Sequence, residues 1–110
     1  MSDVLKLDLQ AMQAAAAKAC GMLKVLGNPD RLLLLCQLTQ GEFSVGELET
    51  LLQIQQPTLS QQLGVLREEG LVSTRREGKQ IFYKIESREA TAIMQVLYEL
   101  FCQPGKGETT

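Results

Sequence analysis

Apolar residues recur three or four positions apart in the first quarter of the chain, which is the spacing of one face of an α-helix. The residues of this stripe are Leu9, Met12, Ala16, Ala19, Leu23 and Leu26. They predict a first helix from about Asp8 to Leu26, whose many alanines favour helix and allow close packing of a partner helix. A Gly-Asn-Pro sequence then interrupts the pattern. Because Asn28 can cap a helix and Pro29 suits its first turn, a second helix is predicted to run to about Thr39.

A helix-turn-helix pattern occupies the middle of the chain. Ser44 and Glu47 fit a capping box, in which each side chain satisfies a backbone donor of the other residue, and they open a short helix to about Leu52. Residues 53–56, which read Gln-Ile-Gln-Gln, form the predicted turn. A fourth helix is then predicted over residues 57–69, since it begins with proline and is followed by glycine. Two short helices joined by a tight turn are typical of a helix-turn-helix.

Two β-prone runs and a last amphipathic helix complete the pattern. Residues 71–76 and 80–85 are separated by a turn over 77–79 that contains glycine, which predicts a β-hairpin. Ser87 can cap a final helix. The apolar stripe of that helix consists of Ile93, Val96, Leu97, Leu100 and Phe101. The order predicts a mainly α fold with a β-hairpin wing: a winged helix-turn-helix with extra N- and C-terminal helices.

Length and composition narrow the class of protein. With 110 residues, 45% of them hydrophobic and 22% charged, we expect one globular domain over 1–103 and a flexible tail over 104–110. No apolar run is long enough to span a membrane and no signal-peptide pattern is present, so a cytoplasmic location is expected. The net charge is −2, but Arg67 to Lys84 holds five basic residues against three acidic ones. A local basic surface is therefore compatible with the composition.

The chain contains three cysteines and no histidine. Without histidine, Ser-His-Asp catalysis, Cys-His catalysis and a His-ligated zinc site are excluded. An odd number of cysteines in a small chain does not suit a disulfide scaffold. We therefore expect a protein that is not an enzyme and has no resident metal or cofactor.

The second helix of a helix-turn-helix presents the residues near its N-terminus to base edges in the major groove. The spacing of Leu59, Leu63 and Leu66 turns these side chains to the core and leaves amides and hydroxyls facing outward. Such groups both donate and accept hydrogen bonds, which suits bases and phosphates, although they could also form a merely solvated face. Basic residues of the hairpin would extend the contact. The full candidate DNA-binding set is Gln55, Gln56, Thr58, Ser60, Gln61, Gln62, Arg67, Arg75, Arg76, Lys79 and Gln80.

Residues 26–35, which read Leu-Gly-Asn-Pro-Asp-Arg-Leu-Leu-Leu-Leu, resemble the L-[GS]-x-P-x-R-L-x-I-L opening of arsenic-repressor (ArsR-type) regulators. Residues 46–48, 57–63 and 66–72 match later motifs of that family in order and spacing. One departure is Gln62, where many members carry histidine, and we expect it to alter operator preference. The resemblance implies a homodimer, built from the first and last helices, that binds double-stranded operator DNA.

The apolar stripes of the two terminal helices agree with such a homodimer. A domain of this size would struggle to bury both of them alone. The candidate dimer contacts are Leu9, Met12, Ala16, Ala19, Ile93, Val96, Leu97 and Leu100.

The cysteines indicate what such a repressor would sense. Cys36 in the second helix and Cys102 at the end of the last one resemble a persulfide- and redox-sensing subgroup of the family, the BigR-, SqrR- and HlyU-like repressors. That resemblance implies that the two thiols become linked by a disulfide or polysulfide bridge when a persulfide, polysulfide or oxidant acts as inducer. Cys20 has no required partner in this scheme. The chemistry needs an accessible and mildly acidified thiolate.

Other functions stay open on the sequence alone. The thiolates of Cys20, Cys36 and Cys102 could bind a soft ion such as arsenite. The amphipathic terminal helices could instead bind another protein without any role for DNA. Salt dependence separates that function from DNA binding, because phosphate contacts weaken steeply as ionic strength rises. An enzyme with a nucleophilic cysteine ranks last, since no base is evident.

Overall fold

The structure is a computed structural model that describes residues 8–102. Within that range, the helices are α1 (Leu9–Leu26), α2 (Pro29–Leu38), α3 (Val45–Leu52), α4 (Thr58–Glu68) and α5 (Arg88–Leu97). The strands are β1 (Phe43–Ser44), β2 (Val72–Glu77) and β3 (Gln80–Ile85), and a π-helix, Tyr98–Cys102, continues α5. The mainly α winged helix-turn-helix fold is confirmed. Residues 1–7 and the predicted tail over 104–110 lie outside the described residues.

Side-chain caps begin four of these helices at the residues that the sequence indicates. The side chains of Asp8, Asn28 and Ser87 each accept a hydrogen bond from the backbone N–H three residues ahead. The predicted capping box is present, because the Glu47 N–H donates to Ser44 Oγ at 3.1 Å and the Ser44 N–H donates to Glu47 Oε1 at 2.8 Å. These caps satisfy backbone donors that a helix leaves without partners in its first turn.

The hydrophobic core lies where α2, α3, α4, α5 and the base of the sheet meet. Leu34 and Leu35 of α2 are buried. Leu59, Leu63 and Leu66 of α4 are buried as their spacing predicts. Each fully buried leucine stabilises the fold by about 1.5–3 kcal/mol relative to an exposed one. The remaining buried apolar residues are Val25, Leu26, Leu38, Leu48, Ile54, Leu71, Val72, Ala90 and Met94. Packing of its leucines fixes which face α4 presents to solvent.

The sheet has three strands rather than the predicted two. β1 pairs antiparallel with β3, so the strand order is β1-β3-β2. Two residues are too few for an apolar alternation, which is why the sequence pattern does not indicate β1. The hairpin turn is also tighter than predicted, because Glu77 pairs with Gln80 and Gly78 adopts a positive φ of 63°. Because β1 directly precedes α3, its pairing with β3 joins the wing to the beginning of α3.

The two ends of the described chain are little covered by the rest of it. In α1 only Val25 and Leu26 are buried, and residues 8–21 are exposed throughout. The predicted single last helix changes form, since α5 ends at Leu97 and the chain continues as the π-helix. Its wider turn changes the direction in which the following side chains project. None of the helices within residues 8–102 combines the length and apolarity needed to cross a membrane.

Candidate nucleic-acid interface and thiol pair

The outer face of α4 carries polar side chains near its N-terminus. Gln55, Gln56, Ser60 and Gln61 are exposed, whereas Thr58 is half-buried. In a helix-turn-helix these are the positions that reach base edges or phosphates. The structure therefore leaves most of this predicted surface accessible.

The side chain of Gln56 caps the N-terminal end of α4. Pro57, at the cap position, makes no side-chain cap hydrogen bond. Instead, Gln56 Oε1 accepts from the Ser60 N–H at 3.2 Å and from Ser60 Oγ at 2.6 Å. The amide oxygen of Gln56 and the hydroxyl proton of Ser60 are thereby engaged within the protein. The Gln56 Nε2 donors and the Ser60 oxygen lone pairs are the groups left for a DNA contact.

Gln62, which the leucine spacing predicts to face largely outward, is half-buried, and its side chain accepts a hydrogen bond from a residue of another helix. Arg31 Nη1 donates to Gln62 Oε1 at 2.7 Å, and Arg31 Nε donates to the Val25 carbonyl at 2.6 Å. Arg31 was not among the predicted site residues. The only signal for it was its place in the family-like motif over residues 26–35. An effect of Gln62 on operator preference stays a prediction.

The two arginines of the wing have different environments. Arg75 Nε donates to Glu42 and Arg75 Nη1 to Glu77, both at 2.9 Å, and its guanidinium lies 4.6 Å from the centre of the Phe82 ring. The hydrogen bond from Arg75 holds the pKa of Glu42 below its ordinary value. Arg76, in contrast, is exposed and makes no ion pair within residues 8–102. The charge of Arg75 is largely offset, whereas that of Arg76 is available to a phosphate.

The remaining predicted DNA contacts lie at the surface. Arg67 ends α4, Lys79 lies at the hairpin turn and Gln80 begins β3, and all three are exposed. Neither Arg67 nor Lys79 forms an ion pair with another described residue.

The structure places Cys36 beside the segment that leads to Cys102, because the two sides of one groove include Cys36 and, from the π-helix, Tyr98 and Glu99. Cys36 is half-buried on α2, Cys102 is exposed at the end of the π-helix, and both thiols are free. They are close enough for the charge of one to raise the pKa of the other. A groove of about 600 Å³ separates α2 from α5 beside Cys36. Its lining is Leu33, Cys36, Gln37, Thr39, Gln40, Leu52, Met94, Gln95, Tyr98 and Glu99.

The environment of Cys36 does not acidify its thiol. Burial raises the pKa of Cys36 above its ordinary value, and the negative charge of Cys102 raises it further. The charged side chain lining the groove is Glu99, an acid rather than a base. The expected mildly acidified thiolate is therefore not provided at Cys36 by the described chain, because the basic neighbour that would stabilise it is not among the lining residues.

We expect the alkylation rate of Cys36 to keep rising above pH 9. The thiolate is the nucleophile, and a raised pKa shifts its formation to a pH above the ordinary value of 9.0. The measurement is the iodoacetamide rate against pH in a Cys20→Ser variant, with the urea-denatured protein as reference and Cys36 followed by peptide mapping. Adding Cys102→Ser should lower the pH midpoint of the Cys36 alkylation rate but leave it above that of the denatured protein, because burial is the larger cause of the raised pKa. A folded midpoint below that of the denatured protein would contradict this description.

The third cysteine lies apart from the pair. Cys20 is exposed on α1. Within the part of the chain that the structure describes, no three His, Cys, Asp or Glu side chains converge to hold a metal ion. The three-thiolate arsenite site that the sequence left open is thus not formed inside one described chain.

The predicted dimer contacts form an uncovered apolar surface. On α1 the stripe is exposed, with Leu9 at 66%, and near the other end Leu100 is 69% exposed. Ile93 and Leu97 are half-buried at the edge of the core. The other predicted contacts, Met12, Ala16, Ala19 and Val96, are exposed. Three further apolar or aromatic residues of the same elements, which were not predicted as contacts, are also exposed, namely Leu23, Tyr98 and Phe101.

Comparisons with known proteins identify a matching family and similar regulators. The family described as bacterial regulatory protein, arsR family, matches residues 28–74. The biofilm growth-associated repressor of Agrobacterium fabrum is 55% identical over 102 residues, which cover 93% of this chain and 87% of that protein.

Two solved structures are similar in both fold and sequence. The transcriptional repressor BigR from Xylella fastidiosa has a TM-score of 0.81 and 50% identity, covering 88% of this chain and 99% of that one. Reduced HlyU from Vibrio cholerae has a TM-score of 0.83 and 45% identity, covering 86% of this chain and 100% of that one. These findings confirm the resemblance that the sequence motifs indicate.

Proposed function

The chain belongs to the ArsR family of bacterial regulatory proteins, and we propose that it is a dimeric repressor that releases operator DNA when Cys36 and Cys102 become linked. The observation that carries the proposal is the groove that Cys36 of the core helix α2 shares with Tyr98 and Glu99, which belong to the π-helix that ends at Cys102. The relatives include a biofilm growth-associated repressor and a structure described as reduced HlyU.

DNA binding is supported by the surface chemistry of α4 and the wing. The exposed amides of Gln55 and Gln61 can read base edges, since an amide both donates and accepts hydrogen bonds. Arg67, Arg76 and Lys79 make no ion pair with any residue of 8–102 and offer their positive charge to phosphates. The net charge of −2 is thus compatible with a local binding surface.

Dimerisation is supported by the exposure of α1. This helix has 18 residues and is about 27 Å long, yet only Val25 and Leu26 are buried in its own chain. A groove of about 750 Å³ lies between α1 and the start of α5, with Ala19, Leu23 and Ile93 in its lining. A second copy of the chain, related by a two-fold axis, would bury the same apolar surface on both subunits.

The proposed chemistry begins at either thiol and balances without another co-reactant. The thiolate of Cys36 attacks the outer sulfur of a persulfide R–S–SH, which gives a Cys36 persulfide and releases the thiol RSH. The thiolate of Cys102 then attacks Cys36 Sγ, forms the disulfide and displaces hydrosulfide. A second sulfur transfer from R–S–SH first gives Cys36–S–S–SH with release of RSH, and attack of the Cys102 thiolate on its middle sulfur then displaces hydrosulfide and gives a trisulfide. With an organic disulfide R–S–S–R as oxidant, the two displaced groups are both RS⁻.

Release follows from the position of the bridge. A covalent link between Cys36 and Cys102 would tether α2 to the end of the predicted dimerisation surface and change the spacing of the two recognition helices, which DNA requires to be about 34 Å apart. A disulfide requires Cα atoms within about 7 Å, and additional sulfurs relax that limit. A change of roughly 3–4 kcal/mol in binding free energy corresponds to several hundredfold in affinity.

The experiment is an operator titration with the reduced protein and with protein treated with glutathione persulfide, oxidised glutathione or arsenite. The proposal predicts salt-dependent binding by the reduced dimer, and weakened binding in the arm where peptide mapping shows a Cys36–Cys102 bridge. Weakening by arsenite alone, without a bridge, would favour a soft-ion sensor. Absence of salt-dependent DNA binding would favour a protein-interaction module.

Arg76→Ala is expected to weaken DNA binding more than Arg75→Ala. Arg76 has no described acidic partner, so its removal should reduce the slope of log affinity against log salt by about 1. Arg75 is the matched control, because Glu42 and Glu77 already offset its charge. Binding titrations at several salt concentrations measure both slopes. Equal reductions in the two variants would show that the ion pairs of Arg75 do not persist in the complex.

A further inference from the structure

A single side-chain hydrogen bond joins the helix that carries Cys36 to the recognition helix in the described part of the chain. It runs from Arg31 of α2 to Gln62 of α4. We infer that Arg31 is a positioning residue, which holds α4 through Gln62 and transmits the state of the thiol pair to the DNA-reading surface. The inference rests on the proposed function and assigns the residues that would carry its regulation.

Arg31 and Cys36 face different neighbours because of their spacing on α2. Five positions separate them, which places their side chains about 140° apart around the helix axis. Arg31 reaches Gln62 and the Val25 carbonyl, whereas Cys36 lies in the groove beside Met94 and Glu99. The helix α2 therefore contacts the recognition helix α4 on one side and the segment that leads to Cys102 on the other.

The guanidinium of Arg31 is fixed at two points. Its Nε donates to the last turn of α1 at 2.6 Å, and its Nη1 donates to Gln62 Oε1 at 2.7 Å. Because a guanidinium has donors only, it also fixes the orientation of the Gln62 amide, with the oxygen toward Arg31. The same side chain thus ties α4 to α1, the helix that we propose as part of the dimer interface.

A polar link is better suited to transmit a small movement than the surrounding leucines. The apolar contacts of the core, to which Leu34 and Leu35 of α2 belong, are non-directional. A charge-assisted hydrogen bond is directional and is lost when its partners separate by about 1 Å. A bridge that draws α2 toward Cys102 would therefore loosen α4 by breaking the contact between Arg31 and Gln62.

The test is the ratio of operator affinities of the reduced and the bridged protein, measured for each variant. Arg31→Met removes the donors but keeps an apolar stem, and Gln62→Met removes the acceptor from the α4 side. Each is expected to reduce the ratio by about tenfold, and the double variant should reduce it no further, because both changes break the same contact. Gln62→Glu keeps an acceptor for Arg31 and should retain most of the ratio.

Gln61→Met is the matched control. Gln61 is the neighbouring exposed amide of α4 and makes no side-chain hydrogen bond within the described residues. Its replacement should weaken DNA binding equally in both states and leave the ratio unchanged. Peptide mapping of each sample establishes how much protein carries the bridge, and thermal unfolding identifies any variant that fails to fold. Gln62→Met then tests the link without changing α2.

The possible outcomes separate the inference from the proposed function. If Arg31→Met and Gln62→Met weaken binding equally in both states, the contact is only structural and the inference is overturned while the proposed function stands. If the unsubstituted protein binds operator equally well with and without the bridge, the proposed function fails and no regulation passes through Arg31. A ratio that falls in these two variants but not in Gln61→Met supports the inference.

Discussion

Ala19→Glu is expected to make the protein monomeric and to lower its operator affinity by a factor of about 10²–10⁴, the equivalent of roughly 3–6 kcal/mol. Ala19 is exposed in one chain and lines the apolar groove beside α1. A glutamate there stays solvated in the monomer. In the proposed dimer two-fold symmetry would bury two carboxylates, and each buried unpaired charge is unfavourable by several kcal/mol.

Ala17→Glu is the control for this variant. Ala17 is also exposed, and it lies two positions away, which is about 200° around the helix axis. Glutamate has a helix propensity close to that of alanine, so both substitutions should leave α1 intact. Sedimentation analysis measures the oligomeric state and a DNA titration measures affinity. A dimeric Ala19→Glu variant, or a monomeric Ala17→Glu variant, would show that the apolar stripe of α1 is not the interface.

Cys36→Ser and Cys102→Ser are each expected to abolish release from operator DNA, a loss of about a hundredfold or more in the response to persulfide. Both sulfurs are needed for the bridge, whereas the reduced protein should bind DNA normally because serine is close in size to cysteine. The response is the ratio of operator affinities before and after treatment, and a hundredfold ratio equals about 2.7 kcal/mol.

Cys20→Ser is the matched control for the thiol pair. Cys20 is an exposed thiol on α1 and is separate from the other two, so its replacement should leave the response intact. A response that survives in Cys36→Ser would contradict the proposed chemistry. A response that disappears in Cys20→Ser would indicate a different bridge, with a thiol from α1 as one partner.

Local patterns in the sequence predicted most of the fold, because helix caps and apolar stripes depend only on residues that are close together in the chain. The capping box of Ser44 and Glu47 fixed the beginning of α3, and the spacing of the α4 leucines fixed its buried face. β1 was not predicted because its pairing with β3 joins residues about forty positions apart. The π-helix was not predicted because a change of helical form leaves the apolar spacing nearly unaltered.

The candidate site was less predictable, since its properties depend on contacts between distant parts of the chain. No sequence pattern indicated that Arg75 is paired with Glu42 or that Arg31 holds Gln62. The raised pKa of Cys36 has the same origin, because it depends on burial and on Cys102, 66 positions away. The expectation of an acidified thiolate came from the chemistry required and not from neighbours visible in the sequence.

The raised pKa of Cys36 bears on which of the two thiols reacts first with a persulfide. A thiol with a raised pKa is largely protonated near neutral pH, which slows attack by Cys36. Cys102 is more exposed and is therefore the thiol that a bulky persulfide reaches more easily. Because the two thiols are neighbours, a persulfide formed on either one can be resolved by the other with loss of hydrosulfide.

The central claim is that the linked thiols and bound DNA exclude each other. The most direct measurement is to treat the protein with enough persulfide to bridge about half of it, mix it with limiting operator DNA, and separate the bound from the free protein. Intact-mass analysis with peptide mapping then gives the bridged fraction of each pool. We predict that the Cys36–Cys102 bridge is strongly enriched in the free protein and nearly absent from the DNA-bound protein. Equal bridged fractions in the two pools would contradict the account.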